Sequence, residues 1–189
     1  MENNPNLKRK LTSGNLILVG MMGAGKSTMG RILARHTGKQ FIDSDVELQN
    51  RTGVSIPHIF DVEGESGFRQ RESAVIESLL CENNIVLATG GGAILSEHNR
   101  HLLQRNGIVV YLQANVNELW QRTRHDKNRP LLQTENPQGR LAELCYQRDP
   151  LYLEVADVVI QTGRQNVHGL MLQLVDKIEE FKREQLRVE

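Results

Sequence analysis

The residues Gly20-Met21-Met22-Gly23-Ala24-Gly25-Lys26-Ser27 satisfy the spacing G-x-x-x-x-G-K-[ST]. Glycines at these steps let consecutive backbone N–H groups turn inward around phosphate oxygens. A helix opening at Lys26 points its positive end at the same place. The Lys26 ammonium then reaches the β- and γ-phosphates, and the Ser27 hydroxyl is a hard oxygen suited to Mg²⁺. Gly23, Ala24, Gly25, Lys26, Ser27 and Thr28 are therefore candidate contacts to a nucleoside triphosphate. The motif leaves the fate of the phosphate open.

Carboxylates and arginines elsewhere narrow it. A metal-binding acid is expected at the end of a second strand. The apolar run Ile85–Ala88 ends in Thr89 and three glycines and supplies none. Gln40-Phe41-Ile42 ends at Asp43, with Asp45 two residues on. Asp43 is assigned with Ser27 to the Mg²⁺ shell, directly or through water. Asp45 is left to take a hydrogen bond or a proton from an acceptor hydroxyl. The competing assignment is that either acid caps the helix that follows.

Arg69 has Glu72 three residues later, close enough on a helix to touch. The pair is either an ordinary surface ion pair or a device that aims Arg69 at an anionic group. Gly90-Gly91-Gly92 lacks side chains after a strand and permits close approach of a ligand to backbone. Arg129 lies in a polar stretch, Asp126 to Gly139, that holds two of the five prolines and shows no period. Such a stretch inside a compact domain is usually a functional loop, and an arginine carried over a P-loop stabilises charge on a moving phosphoryl group. Arg148 precedes Asp149-Pro150, where a helix break is expected. Asp61-Val62-Glu63-Gly64 matches the D-x-x-G of GTPases but follows no strand, and the chain has no Asn-Lys-x-Asp for guanine. His98 and His101 lie three apart with no third ligand in view and read as exposed side chains.

The elements that must position these groups alternate. Leu16–Val19, Gln40–Ile42, Ile85–Ala88, Ile108–Leu112 and Asp157–Ile160 read as strands. Helices are expected over Lys26–Thr37, stopped by Gly38, over Ser66–Leu80, from the cap Ser96 to near Gly107, and through the C-terminal stripe Val167, Leu170, Met171, Leu174, Val175, Ile178, Phe181. Alternation of this kind predicts an α/β fold, a parallel sheet covered on both faces. The 189 residues fit one domain, 15–189, behind a polar tail of 1–14. Lys+Arg and Asp+Glu both number 23, so no excess positive charge recommends nucleic acid as a partner. No apolar run approaches the ~20 residues of a membrane span. Cys81 and Cys145 are expected as reduced thiols in the cytoplasm.

Six segments in this order resemble the shikimate kinase family: Gly20 to Thr28, Asp43-Ser44-Asp45, Phe68-Arg69-Gln70-Arg71-Glu72, Thr89-Gly90-Gly91-Gly92, Arg129-Pro130-Leu131-Leu132 and Arg148-Asp149-Pro150-Leu151-Tyr152. The resemblance runs from about Asn15 to the C-terminal helix. It implies a three-layer α/β/α domain with a five-stranded parallel sheet, like that of nucleoside monophosphate kinases. It implies Mg²⁺-dependent transfer of the ATP γ-phosphoryl group to the 3-hydroxyl of shikimate, giving shikimate 3-phosphate and ADP in chorismate and aromatic amino acid biosynthesis. By resemblance, Lys26, Asp45 and Arg129 are catalytic. Arg69 and Arg148 clamp the shikimate carboxylate, and Gly90, Gly91 and Gly92 contribute backbone. Arg129 closes onto the phosphates from a lid of about 124–139, and a segment of about 43–72 binds the acid. Arg122 and the region of Arg164-Gln165 lie on the adenine side; Val167 stands where some members have proline. A cytoplasmic monomer is expected. Two rival readings keep the P-loop: a kinase for another small acceptor, such as gluconate or a nucleoside monophosphate, and a non-catalytic nucleotide switch. The Asp43/Asp45 pair and Arg129 favour an enzyme, and the resemblance alone favours shikimate.

Overall fold

The computed structural model describes residues 14–126, 130–163 and 166–188. Five strands, β1 (Leu16–Val19), β2 (Gln40–Asp43), β3 (Ile85–Ala88), β4 (Ile108–Gln113) and β5 (Val158–Gln161), form one sheet in the order β2-β3-β1-β4-β5. Every pairing is parallel. β1 and β3 are buried at every residue. That explains their unbroken apolar sequence, because a central parallel strand is covered on both faces. β2 and β5 are the edges, and Gln40 and Gln161 are exposed there.

Among the described residues seven α-helices connect and cover the strands: α1 (Lys26–Thr37), α2 (Ser44–Thr52), α3 (Ile56–Leu79), α4 (Glu97–Asn106), α5 (Val116–Thr123), α6 (Pro137–Val155) and α7 (Val167–Val188). Their ends obey local chemistry. Asp43, Ser55, Ser96, Asn115 and Asn136 each cap a following helix through a side-chain oxygen. Gly38 closes α1 in the left-handed conformation. α1 packs on β1, β2 and β3, and α7 packs on α1 and β5. α7 buries Leu170, Met171, Leu174 and Ile178 and leaves Val167 exposed. The burial of each such side chain contributes about 1.5–3 kcal/mol.

Three expectations need correction. The helix expected from Ser66 begins at Ile56, and it is interrupted at Gly64, whose φ of 69° and ψ of −177° are not helical. The apolar stripe of Phe68, Val75, Ile76 and Leu79 is visible only beyond that kink, so the sequence period starts late. The break expected at Asp149-Pro150 is absent: Pro150 sits inside α6. Tertiary packing outweighs the local cost of a proline in a helix interior. The stretch from Asp126 to Gly139 is less irregular than its composition suggests, with a 3₁₀ turn at Pro130–Leu132 and α6 already begun at Pro137.

Candidate active site

All five strands point the same way, so the segments leaving their C-terminal ends gather on one edge of the sheet. β1 lies between β3 and β4, and the chain turns from one side of β1 to the other after β3. The P-loop, the Asp43-Ser44-Asp45 corner and the triple glycine thereby become neighbours although 70 residues separate Gly20 from Gly90.

The P-loop is shaped by backbone. Gly23 and Gly25 sit at φ 79° and 94°, a region that L side chains rarely enter. Gly25 occupies the N-cap of α1 without a side-chain capping bond, and the first turn of α1 carries no acidic residue. The first amides of that helix thus have no intrahelical partner and no competing carboxylate of their own turn. Lys26 Nζ donates to Gly20 O at 2.7 Å and Met21 O at 2.9 Å, curled across the loop. Ser27 Oγ donates to Asp43 Oδ2 at 2.6 Å. The other carboxylate oxygen, Oδ1, accepts from the amides of Asp45 (3.1 Å) and Val46 (3.4 Å). Asp43 therefore both caps α2 and stands beside Ser27. Two hard oxygens side by side fit the Mg²⁺ of a nucleotide, an ion that takes one or two protein oxygens and fills its shell with phosphate and water.

A hollow of about 460 Å³ lies over these groups and is lined by Gly23, Gly25, Lys26, Ser27, Thr28 and Asp43, among others. Arg122, on α5, forms its far wall. Its guanidinium donates to Gly23 O at 3.1 Å and to Thr162 O at 2.8 Å, tying the P-loop to the segment after β5. Ala24, within the loop, is buried. Arg129 and Gln165 lie outside the described residues.

A second hollow, of about 640 Å³, adjoins the first. Arg69 comes from α3, Arg148 from α6, Asp45 from α2, and Gly90, Gly91 and Gly92 from the turn after β3. Phe60 and Phe68, with ring centroids 4.7 Å apart, make an apolar wall. A Cβ at Gly92 would run into the Arg69 guanidinium, so glycine there leaves Arg69 room to hold this position. Ser44, buried, accepts from the Gly90 amide at 3.0 Å and holds that turn against α2.

The electrostatics of this hollow favour an anion. Glu72 is 2 % exposed, and its Oε2 accepts from Arg69 Nη1 at 2.7 Å. Burial raises the Glu72 carboxyl above its ordinary value, and the nearby Asp45 adds to the rise against the opposing pull of Arg69. Burial also lowers Arg69, but Glu72 and Glu65 more than offset it and the guanidinium ends raised. Arg148, 2 % exposed, is lowered by burial and further by the positive charge of Arg69. Its Nη1 donates to Gly91 O at 3.2 Å, while its Nε has no hydrogen-bond partner among the described residues. A buried guanidinium, Arg148, and a half-buried one, Arg69, disfavour each other and are poised for a ligand carboxylate, which an arginine fork can meet with two parallel bonds.

Most of the expected site residues meet at these two hollows, and Asp45, Met22 and Gly91 line both. Glu65, which accepts from Arg69 Nη2 at 3.0 Å, was missed, although its four-residue spacing from Arg69 was a usable signal. Ser44 and Phe60 were missed as well; nothing in their types distinguishes them from an ordinary serine and an ordinary core aromatic. His98 and His101 are exposed, and Asp61–Gly64 lies within α3, not after a strand. Both cysteines are free thiols.

A parallel α/β sheet, a P-loop at its C-terminal edge and an arginine-lined acceptor hollow beside that loop define a P-loop kinase for a small molecule. Comparison with known proteins specifies which. The model of the shikimate kinase family matches residues 22–179, and the chain belongs to that family. It is 54 % identical over 169 residues to shikimate kinase of Nitrosospira multiformis, covering 89 % of this chain and 87 % of the relative. It is 58 % identical over 168 residues to that of Nitrosococcus oceani, covering 89 % and 88 %. The solved structure of shikimate kinase from Acinetobacter baumannii in complex with shikimate superposes with a TM-score of 0.86 at 50 % identity, covering 88 % of this chain and 93 % of that one.

Proposed function

We propose that this kinase moves the γ-phosphoryl group of ATP to the 3-hydroxyl of shikimate, and that the shared wall at Asp45 is where the two substrates meet. The observation that carries this is the adjacency of the hollows: one is lined by the P-loop, the other by Arg69 and Arg148, and Asp45 faces both. The inward amides of Gly23 to Thr28 hold the phosphates, and Lys26 leaves its P-loop carbonyls to neutralise the β- and γ-oxygens. Ser27 and Asp43 would hold the Mg²⁺, whose charge would offset that of the phosphates. Arg69 and Arg148 receive the acid's carboxylate, and Gly91 and its neighbours let the ring approach the backbone. This grip sets the 3-hydroxyl against Asp45. The hydroxyl oxygen bonds to the γ-phosphorus, the bond from that phosphorus to the bridging oxygen breaks, ADP leaves, and the hydroxyl proton passes to Asp45. Arg122 supports the nucleotide from the base side. By the family resemblance Gln165 does so too, and Arg129 faces the phosphates from the segment of about 124–139.

The residue set agrees with the composition of the expected substrate, a small polyol acid. A hydroxyl needs one acceptor, and a carboxylate needs cations. Among the described residues no helix is long and apolar enough to cross a membrane, and the net charge of zero gives no general attraction to nucleic acid. A coupled assay of ADP release tests the acceptor. The expected result is rapid, Mg²⁺-dependent turnover with shikimate and none with gluconate or nucleoside monophosphates. No turnover at millimolar shikimate removes this reading, and turnover with gluconate replaces it.

A further inference from the structure

Arg148 is the one clamp residue whose own helix is weakened beside it. Pro150, two residues on, lies inside α6 and donates no backbone hydrogen bond to the preceding turn. A guanidinium that must face a ligand to within a fraction of an ångström needs that turn held from outside. The structure shows two bolts on it. Asp149 Oδ1 accepts from Tyr111 Oη at 2.5 Å and from Gln113 Nε2 at 3.0 Å, fastening α6 to the C-terminal end of β4. Tyr152, one helical turn beyond Arg148 and 1 % exposed, donates from Oη to Gly91 O at 2.5 Å, the same carbonyl to which Arg148 donates. The two tyrosines stack with centroids 4.8 Å apart. Neither Asp149 nor Tyr111 lines the acid hollow; both line a separate hollow of about 500 Å³ between β4 and α6.

We propose that Asp149, held by Tyr111 and Gln113, is a positioning residue for the acceptor: it fixes the proline-weakened turn of α6 so that Arg148 faces the shikimate carboxylate. This rests on the proposed function above. The tether suits the role chemically. Burial, and for Tyr111 also the Asp149 carboxylate, push both phenols above their ordinary value, so both stay protonated donors through the working range. Asp149 is anchored by two neutral donors and forms no ion pair with Arg148, so the arginine's charge remains available to the ligand. The same chain explains why the aspartate is tied to β4. β4 pairs directly with β1, which leads into the P-loop, so the acceptor clamp and the phosphate cradle are referred to one rigid sheet.

The test separates positioning from general support of the fold. In Asp149→Ala the KM and Kd for shikimate are expected to rise about tenfold, as for loss of a charge-assisted bond pair, with the KM for ATP and kcat within about twofold. Asp149→Asn keeps an oxygen that accepts from both donors and is expected to restore the wild-type KM. Tyr111→Phe keeps the ring stack and loses one donor, for a rise of about threefold; it decides the matter should Asp149→Ala not fold. An unchanged shikimate KM in Asp149→Ala and Tyr111→Phe overturns the assignment. So does an equal rise in the KM for both substrates, or an Asp149→Asn enzyme no better than Asp149→Ala. A wild-type chain that neither binds nor phosphorylates shikimate sinks the functional reading first, and this one with it; normal wild-type turnover with indifferent variants sinks this one alone.

Discussion

The two halves of the site are built from different materials. The phosphate half rests mainly on backbone: eight consecutive residues and a helix N-terminus, with the side chains of Lys26, Ser27, Asp43 and Arg122 set around them. The acceptor half is almost all side chain: a carboxylate from α2, an arginine from α3, an arginine from α6 and a wall of phenylalanines, all gathered around a turn after β3. Backbone donors cost no side-chain entropy to place and bind any phosphate chain. Side chains from separate elements define one shape and one charge pattern, and they need support. Glu72 and Glu65 brace Arg69, Tyr152 shares the Gly91 carbonyl with Arg148, and Ser44 pins Gly90. Phosphoryl donors are common currency and acceptors are particular, and the division of labour in the structure follows that chemistry.

If the comparison is right, substitutions on the two sides must fail differently. Lys26→Ala removes the only side-chain cation that the P-loop itself carries. Its kcat is expected to fall by about 10³-fold or more, with little change in thermal midpoint; near-normal turnover would take the loop out of the chemistry. Asp45→Asn sits at the seam. A drop in kcat of about 10²–10⁴-fold at saturating substrates is expected from loss of the proton acceptor. If saturation kinetics instead show only a weaker ATP KM, Asp45 belongs to the nucleotide half and the seam has been misplaced. Arg69→Ala acts on one side alone. Its shikimate KM is expected to rise about 10²-fold with the ATP KM steady, the scale for truncating one partner of a buried charge pair. Arg69→Lys recovers only part of this, because an ammonium cannot present the planar fork. A parallel rise in both KM values would mean that the halves are not separable.

The same contrast explains what could be read from the sequence. The P-loop half is local, so its chemistry was legible in one run of letters, and β1 and α1 followed from it. The strands were legible because an all-parallel sheet makes its central members continuously apolar. The acceptor half was legible only as scattered arginines and acids, whose meeting depends on the strand order. Residue types alone do not fix that order; the family resemblance implied five parallel strands and the roles of the residues, and the order is seen only in the structure. The brace residues were least legible. Ser44, Glu65 and Tyr152 matter through contacts made across 4 to 61 residues of chain. Pro150 misled because a local rule, that proline ends a helix, yields when the helix is bolted on both sides of it.

The smallest effect concerns the cost of bracing, and it carries a definite sign. Glu72 is buried, and its carboxyl titrates above the ordinary value because burial, helped by Asp45, disfavours the charge more than Arg69 favours it. Between the ordinary and the raised value the folded chain therefore holds a proton that the unfolded chain has released. Stability in that window falls as pH rises, by linkage. Glu72→Gln has no such titration. The stability of wild type relative to Glu72→Gln should thus be greatest below the ordinary glutamate range and decline as pH rises through the raised value, after which it levels. Urea unfolding of both proteins across the acid range measures this difference directly. A relative stability that instead rises with pH would mean that Arg69 outweighs burial, and that Glu72 is a stabilising ion pair. In the catalytic direction the neutral amide should also slacken Arg69 and raise the shikimate KM, leaving the nucleotide KM alone. A carboxylate that lowers stability at neutral pH while tightening the grip on the acceptor is what a half-site made of side chains would be expected to require. In the phosphate half the bracing carboxylate, Asp43, bonds to a serine hydroxyl and two amides and not to an arginine, and none occupies the first turn of α1.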